Sequence, residues 1–302
     1  MQNNKLVTVI CLCYNHESFV IEALESVINQ SYKNIELIIV DDYSTDNSKG
    51  TIENWLKRHP STLFLSNSSN IGNTKSFNQA LKLANGEFII DLAADDVLLP
   101  NAIVMQINGF EKSNYDDVAI VYGNAELMTE SGRFESYFFE VDAHKKVIKK
   151  RPTGDIYKNI LAGGDSSICS VSAMVKNEVY KTLNGYDENL YYEDLDFWIR
   201  ASRDYQFDFV DEIIIKKRVV ENSLGSLFDK KNDERSKKIN FSTYLILKKT
   251  LILNKTKEEN KCALKRIHFE MVLNFKNRNF RLLLKYLILE IRFRKNAQIN
   301  TS

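Results

Sequence analysis

The sequence predicts an α/β fold: a Rossmann-like, mostly parallel sheet with flanking helices, followed by a C-terminal helical region. Strand-like and helix-like segments alternate four times within about the first hundred residues, which is typical of a parallel sheet with right-handed crossovers. From about residue 226 onward the chain is rich in lysine, keeps helical periodicity and contains neither glycine nor proline. The 302 residues are 44% hydrophobic and 27% charged, as in ordinary globular proteins.

Apolar runs rich in β-branched residues predict strands that are buried on both faces of the sheet. The runs 6–13 (LVTVICLC) and 35–40 (IELIIV) are expected to be buried strands. A short third strand is expected over 62–65, and a fourth over 87–92 (EFIIDL). Apolar positions at helical spacing predict helices between these runs. These helices are expected over 15–28, with Asn15 as the N-cap, over 44–57 and over 73–83.

After residue 117 the pattern becomes mixed. It predicts strands over 118–123 and 168–175, a hairpin turn at 130–133 and a helix over 193–202. Two or three amphipathic helices are expected after them, in the lysine-rich part of the chain.

Charge is distributed unevenly along the chain, although its net value is +1. Residues 213–302 contain 22 Lys and Arg against 8 Asp and Glu, whereas residues 1–212 contain 19 against 32. An acidic body repels nucleic acid, so we expect no nucleic-acid partner. For the basic part three partners remain open: phosphates, an anionic lipid surface and the acidic body itself.

The cysteines and the apolar segments indicate a reducing compartment. Cys11, Cys13, Cys169 and Cys262 show no CxxC spacing and no disulfide framework, so we expect a cytoplasmic protein. The first residues contain no apolar signal segment, and no run approaches about 18 uncharged apolar residues. We therefore expect no membrane span.

Polar residues follow the predicted strands, at the sheet edge where open parallel sheets bind ligands. Tyr14, the pair Asp41–Asp42 and the pair Asp95–Asp96 would lie on this rim. GxGxxG and Walker A loops are absent, which argues against a dinucleotide oxidoreductase. A divalent cation held by Asp95 and Asp96 is another way to hold the phosphates of a nucleotide. The alternative is that this pair only caps the following helix.

Three stretches resemble the family-2 glycosyltransferases, which are inverting, nucleotide-sugar-dependent enzymes of the GT-A fold. They are VTVICLCYNHESFVIEALESVINQSYKNIELIIVDDYSTDNS, NIGNTKSFNQALKLANGEFIIDLAADDVLLP and LNGYDENLYYEDLDFWIRAS. The resemblance covers about residues 5–217 and does not extend into the C-terminal helices. It implies a catalytic domain over 1–218, with a nucleotide-binding half (1–100) and an acceptor-binding half (101–218), and a basic helical region over 219–302.

The resemblance implies roles for residues that would bind the nucleotide. Tyr14 matches the aromatic residue that stacks on the nucleobase, and Asp42 matches the carboxylate that binds the base, typically uracil. Asp41 would support that loop. Asn70 and Gly72 match an N-x-G turn, and Lys75 would reach the nucleotide or its phosphates.

The resemblance also implies a metal site for Mn²⁺ or Mg²⁺. Asp95 and Asp96 match the final part of the family's acidic motif, and Asp96 is the better candidate for direct coordination. Many members read Asp-x-Asp-Asp, whereas this chain has Ala93 at the first position. Metal binding is therefore expected to survive without any donor contact from residue 93.

A second acidic centre matches the family's catalytic base. Asp194 would accept the proton of the acceptor hydroxyl, with Glu193 beside it, and Tyr192 and Trp198 would offer stacking faces for an acceptor sugar. The structural alternative is that acidic residues favour the first turn of a helix, and we assign this role to Asp196, paired with Arg200. The loop 163–167 (GGDSS) is either a contact for the sugar or a plain glycine turn.

The last segment of high hydrophobicity, 280–294 (FRLLLKYLILEIRFR), leaves two interpretations open. It is either an amphipathic helix on an anionic membrane, at the inner face of the cell membrane, or a helix packed on the catalytic domain or on a second copy in a homodimer.

The sequence thus predicts a glycosyltransferase of bacterial polysaccharide or glycoconjugate synthesis. It would move a hexosyl or N-acetylhexosaminyl group from a nucleotide-sugar donor, expected to be a UDP-sugar, to a glycan or lipid-linked glycan acceptor. The rival interpretation is a catalytically inactive scaffold that binds a nucleotide or a glycan. A sugar nucleotidyltransferase is disfavoured because CYNHESF stands where its phosphate loop should be.

Overall fold

The computed structural model describes residues 5–164, 168–220, 227–228, 230–231 and 233–299, with side chains up to residue 295. The chain forms two compact units. The first comprises Met1–Gly154, Ile168–Tyr186 and Tyr205–Val220, and the second comprises Asp155–Ser167, Asp187–Asp204 and Glu221–Ser302. The second unit takes two segments from inside the predicted 1–218 domain, and the boundary at residue 218 stays a prediction.

A mixed sheet forms the centre of the first unit. Its strands are β1 (Val7–Cys13), β2 (Ile35–Asp41), β3 (Leu63–Ser66), β4 (Phe88–Ala93), β5 (Val97–Leu98), β6 (Val118–Met128), β7 (Phe134–Tyr137), β8 (Met174–Lys176) and β9 (Gln206–Arg218). The order is β3-β2-β1-β4-β8-β6-β9-β5, and β7 pairs with β6. β1 runs parallel to both β2 and β4, and all seven of its residues are buried.

Helices flank this sheet, so the predicted α/β fold is confirmed. Those of the first unit are α1 (Val20–Ile28), α2 (Ser48–Leu56), α3 (Asn73–Leu81), α4 (Ala102–Lys112) and α6 (Asn177–Leu183). The four predicted strands of the first third of the chain form β1 to β4. β1 and β4 are largely buried, as expected of apolar strands in a sheet covered on both sides, whereas the edge strand β3 is exposed or half-buried throughout. The predicted hairpin turn joins β6 to β7, with Gly132 at a φ of 79°.

Two local predictions are wrong, and one long strand was not predicted. The strand expected over 168–175 is reduced to β8, because Ser170–Ser172 form a 3₁₀ turn in which the Ser172 hydroxyl donates to backbone carbonyls. β9 was not predicted. Asn15 is not the N-cap of α1, which begins at Val20; its backbone has a φ of 57°.

The second unit is helical. Its helices are α5 (Tyr157–Ala162), α7 (Asp194–Ala201), α8 (Glu234–Leu253), α9 (Lys257–Lys276) and α10 (Phe280–Ile299). The last three share a buried core, as predicted for a helical C-terminal region. This core consists of Leu247, Ala263, Ile267, Leu282, Tyr286, Leu289 and Phe293. None of the helices in the described part of the chain is long and apolar enough to cross a membrane.

Candidate functional site

The carboxyl ends of β1, β2, β3 and β4 meet at one rim of the first unit. The register pairs Cys13 with Asp41 and Leu12 with Ala93, so that the residues after these strands come together. This is the edge at which open α/β sheets bind ligands. Tyr14, Asp42, Asn67, Asp95 and Asp96 follow these strand ends.

Two loops of this rim are interlocked by hydrogen bonds between backbone and side chains. The Asn15 amide donates to Ser44 Oγ at 2.9 Å, and Asn15 Oδ1 accepts from the Thr45 amide at 2.7 Å. The Glu17 amide donates to Asp46 Oδ2 at 3.0 Å. The His16 amide donates in the same way to Ser48 Oγ at 2.9 Å.

Two aromatic side chains stand exposed on these interlocked loops. Tyr14, the predicted stacking residue, is 44% exposed. Tyr43, which was not predicted, is 52% exposed and has a φ of 64°, uncommon for a bulky residue. Both rings are therefore accessible to a planar ligand at the ends of β1 and β2.

The Asp42 carboxylate is buried and organises the segment before α3. Its Oδ1 accepts from Asn67 Nδ2 at 2.8 Å and from the Ile71 amide at 2.9 Å, and its Oδ2 accepts from the Gly72 amide at 2.8 Å. A carboxylate offers about four acceptor positions, so three are used by the protein itself. Asp42 is therefore both a loop anchor and a candidate acceptor for one further N–H.

The N-x-G turn leads directly into α3. Gly72 has a φ of 88°, a conformation that favours glycine, and Asn70 is exposed just before it. Lys75 lies exposed in the first helical turn. Lys75 thus follows, within α3, the loop that Asp42 holds.

Asp95 and Asp96 follow β4 in different environments. Asp96 is 3% exposed, and its Oδ1 accepts from the Arg218 amide at 2.8 Å. Burial raises the pKa of Asp96 to about 7, and the charge of Asp95 adds to this. Asp95 is half-buried, with its Oδ2 3.9 Å from His16 Nε2. The pair therefore consists of one solvent-accessible carboxylate and one for which a cation would relieve an unfavourable buried charge.

Arg218, at the end of β9, connects this pair to three other segments. Its Nε donates to the Asp95 carbonyl at 3.0 Å, one terminal nitrogen to the Glu130 carbonyl at 2.8 Å, and the other to Glu22 Oε2 at 2.6 Å. The guanidinium also lies over the Phe19 ring at 4.6 Å. Sequence reasoning missed Arg218 because more than 120 residues separate it from Asp95.

The described residues contain no cluster of three or more His, Cys, Asp or Glu side chains placed to hold a metal ion. Mg²⁺ commonly binds to one or two carboxylates and completes its shell with substrate phosphates and water. The carboxylate oxygens of Asp95 and Asp96 fit a site of this kind, in which phosphates and water complete the shell. His16 adds a nitrogen close to Asp95, and its Nδ1 is buried with no hydrogen-bond partner. The sequence had suggested no site role for His16.

In the second unit Asp194 begins α7, and Glu193 immediately precedes it. Asp194 is half-buried, and its Oδ1 accepts from the Leu195 amide at 2.6 Å. Asp196 takes the structural role assigned to it: its oxygens accept from Arg200 Nε at 2.7 Å and from Lys249 Nζ at 2.6 Å. Asp194 thus keeps contact with solvent, whereas Asp196 is buried in its ion pairs.

The predicted stacking roles of Tyr192 and Trp198 do not fit their positions. Tyr192 is 7% exposed, its hydroxyl is 2.8 Å from Thr243 Oγ1, and its ring packs edge-on against Phe228. Trp198 is 5% exposed and packs edge-on against Phe197. Both rings contribute to the interior of the second unit, because tertiary packing covers faces that the sequence pattern leaves open.

The predicted sugar-contact loop is described only at its start. Gly163 has a φ of 63°, a backbone conformation that favours glycine, and a Cβ there would displace the end of the Arg266 side chain, 2.5 Å away. Asp165, Ser166 and Ser167 lie outside the described residues.

Solved structures share this fold. Residues 1–349 of S. aureus TarS superpose with a TM-score of 0.59 and 17% identity, over 86% of this chain and 69% of that chain. The same fragment in complex with UDP-GlcNAc gives 0.56 and 16%, over 97% and 90%. The mannosyltransferase PcManGT from Pyrobaculum calidifontis, in complex with GDP-Man and Mn²⁺, gives 0.52 and 16%, over 98% and 88%. At these identities the likeness shows the fold alone.

Comparisons of sequence identify the family as well as the fold. A glycosyltransferase of Methanocaldococcus jannaschii without an assigned reaction is 32% identical over 218 residues, which are 71% of this chain and 71% of the relative. A similar protein of Haemophilus influenzae is 29% identical over 260 residues, which are 81% of this chain and 76% of the relative. The model of the family described as "Glycosyl transferase family 2" matches residues 8–183, more than half of the chain, and includes the whole rim from Tyr14 to Asp96. The chain therefore belongs to glycosyl transferase family 2 and is a glycosyltransferase.

Proposed function

We propose that this enzyme transfers a sugar, with inversion and with the help of a divalent metal, from a UDP-sugar to a glycan or lipid-linked glycan. The observation that carries the proposal is the paired aspartates Asp95 and Asp96 on the same rim as an exposed tyrosine and the buried Asp42. A rim of this kind offers a stacking face, an acceptor for a base N–H and oxygen ligands for a cation.

The nucleobase is proposed to lie against Tyr14. The remaining acceptor position of Asp42 suits the N3–H of uracil, since a carboxylate without a proton can only accept. UDP is supported by the neighbour TarS, which was solved with UDP and with UDP-GlcNAc. GDP is the main competitor, because PcManGT was solved with GDP-Man.

The diphosphate is proposed to lie between Lys75 and the aspartate pair. Asp95 and Asp96 would hold Mn²⁺ or Mg²⁺, which supplies positive charge to the nucleoside diphosphate as it leaves. The Arg218 side chain donates to the Asp95 backbone carbonyl and the Arg218 amide donates to Asp96 Oδ1, so this one residue holds the Asp95 backbone and the Asp96 carboxylate before any ligand arrives. His16 and Lys75 bring further nitrogen donors to the same rim.

Asp194 is proposed as the general base. The acceptor hydroxyl oxygen attacks the anomeric carbon while the bond from that carbon to the diphosphate oxygen breaks. The bonding electron pair leaves with UDP, and the hydroxyl proton passes to the Asp194 carboxylate. Attack on the face opposite the diphosphate converts an α-linked donor into a β-linked product. The transition state has oxocarbenium character, as in glycoside hydrolysis.

The reaction is proposed to take place in the cytoplasm, in bacterial polysaccharide or glycoconjugate synthesis. Free cysteines support a reducing compartment, since Cys11, Cys13 and Cys169 are buried as thiols.

Isothermal titration of UDP, GDP, dTDP and CDP, with and without Mn²⁺, tests the donor site. We expect UDP to bind the wild type in a Mn²⁺-dependent manner, and Asp96→Asn to abolish the Mn²⁺ dependence. Asp194→Asn should bind UDP like the wild type but turn over donor at least about a hundredfold more slowly, since general-base catalysis contributes about 10²- to 10⁴-fold.

The same experiment separates the enzyme from the inactive scaffold. Metal-dependent binding of UDP with no transfer or hydrolysis of any UDP-sugar by the wild type would favour the scaffold. If no nucleotide binds with or without Mn²⁺, the donor-site proposal fails.

A further inference from the structure

The helix α10 carries apolar side chains both on its buried face and on its exposed side. One face packs in the core of the second unit through Leu282, Tyr286, Leu289 and Phe293, which are at most 3% exposed. The opposite side is exposed and carries five large apolar side chains, flanked by basic ones. The five are Phe280, Leu284, Leu287, Ile288 and Ile291. The inner face provides the core contacts, and the outer face is left open by the described residues of the second unit.

The preceding helix α9 repeats this arrangement. Its buried positions include Ala263 and Ile267, whereas Phe269, Val272 and Phe275 recur at helical spacing on an exposed face. Phe275 is 63% exposed and Phe280 is 58% exposed. These eight exposed apolar side chains of α9 and α10 are named here the outer apolar surface. Single exposed apolar residues are ordinary, but a grouped set of this size marks an interaction site.

Contacts between α9 and α10 make the outer apolar surface continuous. The rings of Phe275 and Phe280 meet edge to face, with centroids 6.3 Å apart, across the turn between the helices. Farther along, His268 Nε2 lies 3.0 Å from Glu290 Oε1. The two helices are therefore held side by side while both outer faces remain open.

The charges around the outer apolar surface have almost one sign. Within residues 257–295, all of which are described, the only exposed acidic side chain is Glu258, against ten exposed basic ones. The ten are Lys257, Lys261, Lys265, Lys276, Arg278, Arg281, Lys285, Arg292, Arg294 and Lys295. The acidic Glu259 and Glu270 of the same segment are buried.

We propose that α9 and α10 bind an anionic lipid membrane through the outer apolar surface. Apolar side chains that enter the interface between headgroups and acyl chains, with Lys and Arg reaching the headgroup phosphates, define an interfacial helix. A second copy of the chain would bring ten like charges against ten others, which disfavours a self-complementary contact. Lipid phosphates supply the opposite charge that this surface lacks.

Co-sedimentation of the full chain with vesicles tests this inference. Vesicles of phosphatidylcholine containing about a third phosphatidylglycerol should bind the wild type at least about tenfold more strongly than vesicles of phosphatidylcholine alone, and added salt should weaken binding. Leu284→Glu/Ile288→Glu should reduce binding at least about tenfold, because it places charge in the apolar interface. Its matched control is Ile148→Glu, an exposed apolar residue of the first unit, which should bind like the wild type.

A second pair of variants tests the charges. Arg281→Ala/Arg292→Ala should lower binding about tenfold, and the control Lys82→Ala/Lys112→Ala, exposed in the first unit, should not. UDP titration on the same proteins should be unchanged, which separates this inference from the proposed reaction. Equal binding of wild type and Leu284→Glu/Ile288→Glu would overturn the inference. So would a dimer in light scattering that this double variant dissociates, since the surface would then serve a second copy.

Discussion

At the scale of single residues, neighbouring aspartates acquire different chemistry from their surroundings. Asp95 keeps some solvent contact near His16, whereas Asp96 is buried and accepts the Arg218 amide. Within the part of the chain that the structure describes, the Asp96 carboxylate accepts from a backbone amide and from no basic side chain. Such a carboxylate is costly when ionised and gains most from a cation.

Replacement of Asp96 by asparagine should change the pH dependence of the metal-free enzyme. A carboxyl group whose pKa is raised on folding contributes stability that is fully present below its ordinary pKa and is lost as the pH rises through the folded value, here about 7. Between about pH 4 and about pH 8 the free energy of unfolding should therefore fall more for the wild type than for Asp96→Asn. Urea unfolding at each pH measures this, with Asp95→Asn for comparison. Parallel pH profiles of wild type and Asp96→Asn would contradict it.

Replacement of Arg218 by methionine should weaken both the fold and the rim. Methionine keeps much of the side-chain volume but removes the donor to the carbonyl of the half-buried Asp95, and a polar group left unsatisfied when buried costs about 1–3 kcal/mol. We expect a lower midpoint of denaturation and, at a temperature where the variant is folded, weaker Mn²⁺-dependent UDP binding. The control Glu22→Gln removes only the charge of the exposed partner. If Arg218→Met is destabilised but binds UDP normally, Arg218 has no part in orienting the aspartates.

At the scale of elements, α9 begins with a reciprocal cap. The Glu259 amide donates to Thr256 Oγ1 at 3.2 Å, and Glu259 Oε2 accepts from the Thr256 amide at 3.0 Å. Glu259 also accepts from Arg203 at 2.9 Å, so the cap is tied to the segment after α7. The start of α9 is therefore fixed by three residues that are not part of the outer apolar surface.

Removal of this cap should be detectable. Thr256→Ala is expected to lower the free energy of unfolding by about 1 kcal/mol, the usual loss for a Thr cap. Chemical denaturation followed by circular dichroism at 222 nm, a wavelength that reports helix, measures the change. Lys257→Ala, at the next and exposed position, should stay within about 0.5 kcal/mol of the wild type. Equal stability of the two variants would mean that solvent replaces the cap.

Elements could be predicted where one local pattern decides them. β1, β2 and β4 were predicted because a strand buried on both faces is apolar at most of its positions. β9 was missed because its charged residues, such as Asp208 and Asp211, break the apolar pattern of a strand that is only partly buried. The site followed the same rule: strand-end residues such as Asp42 could be placed on the rim, whereas the burial of Tyr192 and the bonds of Arg218 depend on distant segments.

At the scale of the whole molecule, stability should be distributed unevenly over the sheet. β1 is paired on both sides and completely buried, whereas three of the four residues of β7 are exposed at the end of a hairpin. Amides open either locally or with the whole structure, depending on such differences. Hydrogen exchange followed by mass spectrometry should show β1 amides exchanging at least about a hundredfold more slowly than those of β7. Equal rates would indicate that the sheet opens as one body.

The interlocked loops that carry Tyr14 and Tyr43 have a consequence for the kinetics of donor binding. Segments already joined through Asn15, Glu17 and Ser44 lose little conformational entropy when a ligand arrives, so no ordering step should precede or follow the encounter. After rapid mixing of enzyme and UDP, the observed rate should then rise linearly with nucleotide concentration and never reach the plateau of a slow isomerisation.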